Sequence, residues 1–248
     1  MLMTNLACTA KKLMVQNTDT LIEYQVTKRI PLYSQQKKQL AQDIDAFLNA
    51  HKKEAVQLVT FLETVNLDAN KVDLIYENLS ADYRKIASDF SFVLSKHMAA
   101  LDAKQQKDML KTLEGENQKI SQKQTKDRIE EIAERFNKFF GSITKEQRKI
   151  FHDYADYYTE RKSAHLIRRE TLQQKFKEIF SSDSSKETRT TLLYEAFKKY
   201  QDDLMSSHKN IEITKKLIPT FTMAQKETFK KKVEEIKEIL NFYIQTEF

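Results

Sequence analysis

The sequence is poor in the residues that break regular structure. Its 248 residues include two glycines and two prolines, whereas an average protein contains roughly 7% glycine and 5% proline. Sheets and long loops need these residues at their turns, so their scarcity excludes strand-rich folds and favours an all-α protein. Charged residues make up 31% of the chain and apolar residues 40%, which suits amphipathic helices that each bury one apolar stripe.

Cysteine and long apolar runs are scarce as well. Cys8 is the one cysteine, so an intrachain disulfide and a metal site built from several cysteines are both excluded. No apolar run approaches the roughly 20 residues that a membrane-spanning helix requires. No glycine-rich loop that could cradle a phosphate occurs either.

The residue patterns of enzymes and metal sites are missing too. The five histidines are scattered along the chain, and neither Glu-x-x-His nor His-Glu-x-x-His occurs. His152 and Asp156 stand at i,i+4, but one such pair is expected by chance in so charged a sequence. Cys8 has no base placed beside it to activate its thiol. We therefore predict no enzymatic activity, no metal and no cofactor.

The charge balance is mildly basic. The chain has 42 lysines and arginines against 36 aspartates and glutamates, a net charge of +6. Basic and acidic residues alternate, as in residues 128–131 and 230–235. A nucleic-acid-binding protein usually concentrates its basic residues on one face or tail. We therefore expect solvated helix faces with i,i+4 ion pairs instead.

The spacing of apolar residues predicts the architecture. They recur at alternating intervals of three and four residues, which is typical of antiparallel helical bundles. The pattern predicts an elongated antiparallel array of about seven helices, each roughly 30 residues and 45 Å long. The array forms a single domain over residues 9–248, after a tail or signal remnant at residues 1–8.

Caps and helix stops predict the helix boundaries. Pro31 ends the first helix, which starts near residue 9. The strongly polar stretch 116–126 is expected to be poorly buried. The later helices are expected to run without a break from Ser34 to Val65, Asp68 to His97, Asp102 to Phe139, Thr144 to Ile179, Leu193 to Pro219 and Thr222 to Tyr243.

The helices meet at joints of a common type, best developed in Gly141-Ser142-Ile143-Thr144-Lys145-Glu146-Gln147-Arg148. Gly141 falls where a helix end needs a residue that tolerates positive φ. Thr144 can cap the next helix while Gln147 reaches back to the Thr144 N–H, a capping box. On this basis Thr144→Ala is expected to cost about 1 kcal/mol and Gln147→Ala less. The same spacing recurs at two other joints, Asp102 with Gln105 and Thr222 with Gln225.

One cluster of cations stands out on the fifth predicted helix, close in sequence to Tyr154, Tyr157 and Tyr158. An anionic partner could bind there, whether a nucleic acid, a lipid headgroup or an acidic protein segment. Alternatively, these cations continue the buried stripe and pair with carboxylates of a neighbouring helix. The cluster consists of Arg161, Lys162, His165, Arg168 and Arg169.

Two resemblances follow from the motifs. The hydrophobic-Thr-x-x-Gln joints resemble the repeated motif of Spy/CpxP-like periplasmic proteins, which are helical chaperones and stress sensors. A longer pattern, spanning nearly the whole chain, resembles a bacterial family of all-helical lipoproteins of unknown function. That pattern comprises Cys8, Leu13, Asn17-Thr18-Asp19, Leu21-Ile22, Gln36-Lys37, Leu40, His51-Lys52-Lys53-Glu54, Leu101-Asp102-Ala103-Lys104-Gln105, Asn117, Arg128, Arg135, Phe139, the joint at residues 141–147, Arg161, Leu217-Ile218-Pro219, Thr222 and Gln225.

The lipoprotein resemblance implies a location and a shape. It makes Cys8, preceded by Leu6-Ala7, the lipidated residue of a precursor and places the protein at the periplasmic face of a bacterial membrane. The membrane contact is then the lipid anchor alone. On spacing alone, Cys8 is instead merely an N-terminal thiol, and the alternative location is the cytoplasm.

The implied function is that of a non-enzymatic cell-envelope protein that binds other proteins or acts as a scaffold. One alternative is a Spy-like periplasmic holdase chaperone. The other is a cytoplasmic coiled-coil adaptor or nucleic-acid binder. Neither the partner's identity nor the oligomeric state follows from the sequence.

Overall fold

The protein is all-α. The computed structural model describes residues 12–122, 128–205 and 208–248, and over these ranges it contains helices and no strand. Two short 3₁₀ turns occur, at Ala69–Lys71 and Ile218–Thr220. The α-helices are α1 (Thr18–Thr27), α2 (Ser34–Ala50), α3 (Lys52–Thr64), α4 (Val72–Ala99), α5 (Ala103–Gln122), α6 (Arg128–Phe140), α7 (Lys145–Asp153), α8 (Ala155–Ser181), α9 (Lys186–Met205), α10 (His208–Leu217) and α11 (Met223–Gln245).

The helices form the predicted elongated antiparallel array. Helix α9 packs between α4 and α8, and α5 packs on the other side of α8. Helices α1 and α2 pack together beside α4, while α11 lies against α3 and α6. The 28 residues of α4 span about 42 Å at 1.5 Å per residue, so the long helices set the length of the molecule.

Two apolar cores lie along this length. The first core includes Leu40, Ile44, Met109 and Leu193. The second core lies at the other end of α8, where Tyr157 and Tyr158 pack against it, whereas Phe176 and Ile179 of the same helix belong to the first core. The buried residues of the second core are Ile129, Phe136, Phe151, Tyr154, Ile213, Leu217 and Phe221.

Three predicted helices are broken rather than continuous. The first is interrupted at Asn17 (φ −111°, ψ 22°), between the helical residues 12–16 and α1. The backbone leaves helical geometry at His51 (φ −94°, ψ 9°) and at Tyr154 (φ −116°, ψ 19°). Both rings are buried and held: the His51 ring packs on Phe47 at 4.5 Å between centroids, and the Tyr154 hydroxyl donates to Glu212 at 2.6 Å. Helical geometry is interrupted at these two residues while the apolar stripe continues, so spacing alone does not reveal the break.

The predicted capping boxes are present at the joint of α6 with α7 and at the start of α11. Thr144 Oγ1 accepts from the Gln147 N–H at 3.2 Å, and Gln147 Oε1 accepts from the Thr144 N–H at 2.9 Å. Thr222 and Gln225 repeat the exchange at 3.2 and 3.0 Å. Gly141 adopts φ +86°, the one positive φ among the described residues, which lets α6 end sharply.

These two joints also bind each other. The Nε2 atoms of Gln147 and Gln225 each donate to the other's Oε1 at 2.9 Å. Their second N–H groups donate to the carbonyls of Thr220, at 3.1 Å, and Ser142, at 2.9 Å. Both glutamines are buried, at 0% and 2% exposure, and each amide uses all its donors and acceptors. We call this reciprocal pair the second clasp, because it ties the second core together.

A matching first clasp joins Gln105 to Gln36. Gln105 Nε2 donates to Gln36 Oε1 at 2.7 Å and to the Pro31 carbonyl at 2.6 Å. Gln36 Nε2 returns longer bonds, 3.4 Å to Gln105 Oε1 and 3.3 Å to the Ala100 carbonyl. The joint at Gln105 therefore fixes the chain where it leaves α1 and enters α2.

The N-cap of α2 differs from the expected one. Ser34 is already helical, and the residue in extended geometry is Tyr33 (φ −72°, ψ 163°). Its N–H is bonded to Gln36 Oε1 at 2.9 Å, while its hydroxyl crosses the clasp to the Asp102 carboxylate at 2.9 Å. This fourth joint does not match the Thr-x-x-Gln pattern, because tyrosine stands at its cap position.

Candidate functional site

A largely apolar cavity of about 530 Å³ lies in the first core. Helices α1, α4, α5, α8 and α9 enclose it. Its volume falls within the roughly 300–1,000 Å³ of small-molecule sites. The apolar wall includes Ile22, Leu94, Met98, Leu113, Phe176 and Phe197.

The cavity opens to solvent beside α1. Leu21 of that helix lines the cavity and is 46% exposed. On the inner side, the rings of Phe176 and Phe197 lie 5.2 Å apart and close the wall between α8 and α9. Helix α1 has ten residues, and the first clasp fixes the position of the chain directly after it. The mouth is therefore bordered by a short helix that is anchored at its end.

An ion-pair triad stands at the rim. Glu116 of α5 forms an ion pair with Arg29, which follows α1. Arg29 Nε lies 3.0 Å from Glu116 Oε1. Glu116 also forms an ion pair with Arg169 of α8, whose Nη2 lies 3.1 Å from Glu116 Oε2. All three residues line the cavity, and their side chains are 38%, 23% and 24% exposed for Arg29, Glu116 and Arg169. One carboxylate thus links three separate segments at the mouth.

Amide side chains extend this network below the rim. Arg169 Nε donates to Asn117 Oδ1 at 2.8 Å, and Asn117 Nδ2 donates to Gln173 Oε1 at 2.8 Å. Gln173 Nε2 then donates to the Leu110 carbonyl at 2.9 Å. Asn117 and Gln173 are buried, so the Arg169 guanidinium is held in one orientation. The expectation of a poorly buried stretch at residues 116–126 is wrong for Asn117, and residues 123–127 lie outside the described ranges.

The rim carries excess positive charge. Two guanidiniums share one carboxylate, and Arg29 Nη2 and Arg169 Nη1 have no hydrogen-bond partner within the described ranges. Arg168, which precedes Arg169 but does not line the cavity, has a buried Nε that is likewise without a hydrogen bond there. Burial raises the pKa of the Tyr200 hydroxyl, which lines the cavity, and the charges of Arg169 and Arg168 oppose that rise. The cavity is therefore apolar inside and has two guanidinium groups and one carboxylate at its rim.

The cation cluster singled out in the sequence is mostly turned into the array. Arg161 is exposed, and its Nη1 donates to Asn210 Oδ1 at 3.0 Å. Arg169 pairs with Glu116, as described above. The four members that are half-buried are Lys162, His165, Arg168 and Arg169.

The other residues highlighted by the sequence lie elsewhere. Cys8 is outside the described residues. None of the joint residues that the structure describes lines the cavity; they are Asp102, Gln105, Gly141, Thr144, Gln147, Thr222 and Gln225.

Sequence reasoning missed the triad and its amide support. One signal was available: Asn117 continues the line of Met109 and Leu113 at intervals of four residues, so it stands on a buried stripe. The pairing of Glu116 with Arg29 and Arg169 had no local signal, because the three residues lie far apart in the chain.

No family model, curated protein or solved structure gives a significant match to the chain. Among the described residues, no group of three or more histidine, cysteine, aspartate or glutamate side chains is placed to hold a metal ion. In the same part of the chain, no helix is long and apolar enough to cross a membrane. The candidate site is the cavity with its charged rim, on the strength of its volume and lining.

Proposed function

We propose that the protein is a non-enzymatic binding protein of the bacterial cell envelope, and that its cavity takes up a small, mainly apolar ligand. The observation that carries this proposal is the cavity itself, about 530 Å³ in volume and bordered by five helices. Burying apolar ligand surface there is favourable by about 25 cal/mol per Å². No ligand needs to open the core first, because the space is already present.

The place in the envelope is supported by the lipoprotein resemblance alone. That resemblance assigns Cys8 as the lipidated residue, directly before the first helix. Fractionation of cells that express the gene with its natural upstream sequence tests the anchor. Membrane recovery that is lost in Cys8→Ser supports lipidation, whereas equal recovery of both forms contradicts it.

The binding function is tested with an uncharged apolar dye. Phenylnaphthylamine fluoresces weakly in water and strongly in an apolar site, so enhancement on mixing with purified, delipidated protein reports uptake. Leu113→Trp places an indole at the cavity wall and is expected to abolish the enhancement, since bulk fills the space the dye needs. Because the chain contains no tryptophan, the emission of the new indole provides a second readout, and it should stay unchanged when the dye is added if the dye is excluded.

Leu192→Trp is the matched control. Leu192 is 39% exposed and does not line the cavity, so this variant introduces the same side chain at a distance from it. We expect it to bind the dye like the native protein. Absence of enhancement with the native protein, or equal enhancement with both variants, would contradict the proposal.

A further inference from the structure

The rim of the cavity is charged, and a purely apolar ligand would form no hydrogen bonds with its arginines. Arg29, Glu116 and Arg169 stand at the boundary between the apolar wall and solvent. A ligand whose tail lies among Leu94, Leu113 and similar side chains ends at this point. The head group at that end of the ligand therefore lies beside two guanidinium groups.

We propose that Arg29 and Arg169 bind the anionic head group of a single-chain amphiphile whose alkyl tail fills the cavity. This inference rests on the proposed function, because it identifies the ligand class of the same site. A carboxylate or phosphate head accepts charge-assisted hydrogen bonds, and the donors at hand are Arg29 Nη2 and Arg169 Nη1. The excess positive charge at the rim favours an anion over a neutral or cationic head.

Glu116 acts as the resident counter-ion in this arrangement. It holds both guanidiniums at the mouth through contacts of 3.0 Å and 3.1 Å. Asn117 Oδ1 also accepts a hydrogen bond from Arg169 Nε. This bond holds Arg169 in place when an incoming anion binds the other N–H groups of the guanidinium. The carboxylate of Glu116 also repels an incoming anion, and its charge therefore limits the affinity.

This arrangement makes binding and stability respond differently to substitution. Arg169→Gln and Glu116→Gln both break the same ion pair, so both are expected to lower stability. Their effects on an anionic ligand have opposite signs, because one change removes the attracting charge and the other removes the repelling charge. A purely structural triad would give binding losses for both variants or for neither.

The experiment measures displacement of phenylnaphthylamine by palmitate, by single-chain lysophosphatidate and by uncharged hexadecanol. The native protein is expected to prefer at least one of the two anions over hexadecanol by about tenfold, the worth of one hydrogen bond to a charged group. Comparing palmitate with lysophosphatidate distinguishes a carboxylate head from a phosphate head. Free acetate and inorganic phosphate, which have no tail, are expected to displace nothing.

The variants then assign the preference. Arg169→Gln is expected to remove about tenfold of the affinity for the preferred anion and to leave hexadecanol binding unchanged. Arg29→Gln serves as a second test should Arg169→Gln unfold, and Glu116→Gln is expected to bind the anion more tightly. Arg148→Gln is the control, because it breaks a surface pair with Glu130 at 2.6 Å that is no part of the cavity.

Three different failures can be told apart. If the dye binds but palmitate, lysophosphatidate and hexadecanol displace it equally, the head-group inference is overturned while the apolar site stands. A preference for the anion that survives in both arginine variants, or tighter binding that is absent in Glu116→Gln, overturns the role given to the triad. If the dye does not bind at all, the proposed function fails and the inference fails with it.

Discussion

Gln147 and Gln225 exchange amide hydrogen bonds, with each Nε2 2.9 Å from the other's Oε1. They belong to joints that lie far apart in the chain, yet each also caps its own helix. The side chain that closes a local turn is thus the same one that fastens two helix pairs together. A motif that the sequence presents as capping is, in the folded protein, a tertiary contact.

The second clasp reverses the expected order of two alanine substitutions. Thr144→Ala removes one cap acceptor and is expected to cost about 1 kcal/mol. Gln147→Ala removes one hydrogen-bond partner each from the Thr144 N–H and the Thr220 carbonyl and two from the Gln225 amide, and it opens a void where the fully buried side chain was. We expect a loss of about 3 kcal/mol in the free energy of unfolding, measured by urea denaturation. Equal losses for the two variants would show that the glutamine acts as a cap only.

The reciprocal pair should appear as coupling in a double-mutant cycle. Gln147→Leu and Gln225→Leu each remove hydrogen bonds from the amide of the other glutamine. The double variant is therefore expected to lose less free energy of unfolding than the sum of the two single variants. A coupling energy between about 0.5 and 3 kcal/mol is expected for residues in one network. Gln36→Leu paired with Gln225→Leu provides the control, since these residues sit in different clasps and their effects should add.

The two glycines should respond to alanine in opposite directions. Gly141 has φ +86°, and an alanine there meets no closer atom than Thr228 Oγ1 at 3.9 Å, so its cost is backbone strain of about 1–2 kcal/mol. Gly115 lies inside α5, and a Cβ there would have no atom within 4 Å. Gly115→Ala is therefore expected to stabilise by about 1 kcal/mol. Thermal melts of both variants check this, and a loss of stability in Gly115→Ala would contradict it.

His97 should make the protein less stable in mild acid. Burial lowers its pKa from 6.5, although the nearby Asp43 carboxylate opposes the shift. As pH falls through 6.5, the unfolded chain takes up this proton before the folded chain does, so the free energy of unfolding decreases until the folded pKa is reached. His97→Gln should flatten this part of the pH profile, as measured by urea melts. A native profile no steeper than that of the variant would mean that the pKa is not lowered.

Two arginines of the cation cluster should separate structure from partner binding. Arg169 is 24% exposed and bonded to Glu116 and Asn117, so Arg169→Gln is expected to cost about 2 kcal/mol. Arg161 is exposed, and Arg161→Gln should change stability by about 0.5 kcal/mol or less. Aggregation suppression of an unfolded client is measured on the same samples. Suppression by the native protein that is lost in the stable Arg161→Gln variant would favour the holdase alternative over the ligand-binding proposal.

The helical class followed from the sequence because the scarcity of glycine and proline and the spacing of apolar residues are local properties. The capping boxes followed for the same reason, since Thr144 and Gln147 lie within one helical turn. Pairing between joints did not follow, because nothing near Gln147 indicates that Gln225 is its partner. The fourth joint escaped notice because Tyr33 stands where the pattern has threonine or aspartate.

The cavity could not be predicted from the sequence for a related reason. A void arises when several apolar stripes meet without filling the space between them, and each stripe alone looks like an ordinary buried face. In the sequence, Leu113 and Phe176 look like ordinary core residues, and no pattern distinguishes them from Leu40 or Ile44. Only Asn117, a polar residue on a buried stripe, marked the place from within the sequence.

The walls of the cavity come from distant parts of the chain. Helix α1 supplies Leu21, and α9 supplies Phe197. The cavity is therefore complete only when residues far apart in the sequence come together. Contacts of this kind form late and slowly, because a long loop must be ordered before they can contribute. A nascent chain still lacking α9 has no complete wall to offer. Ligand uptake therefore belongs to the end of folding, and a ligand present at that stage would favour the finished arrangement of the first core over its open precursors.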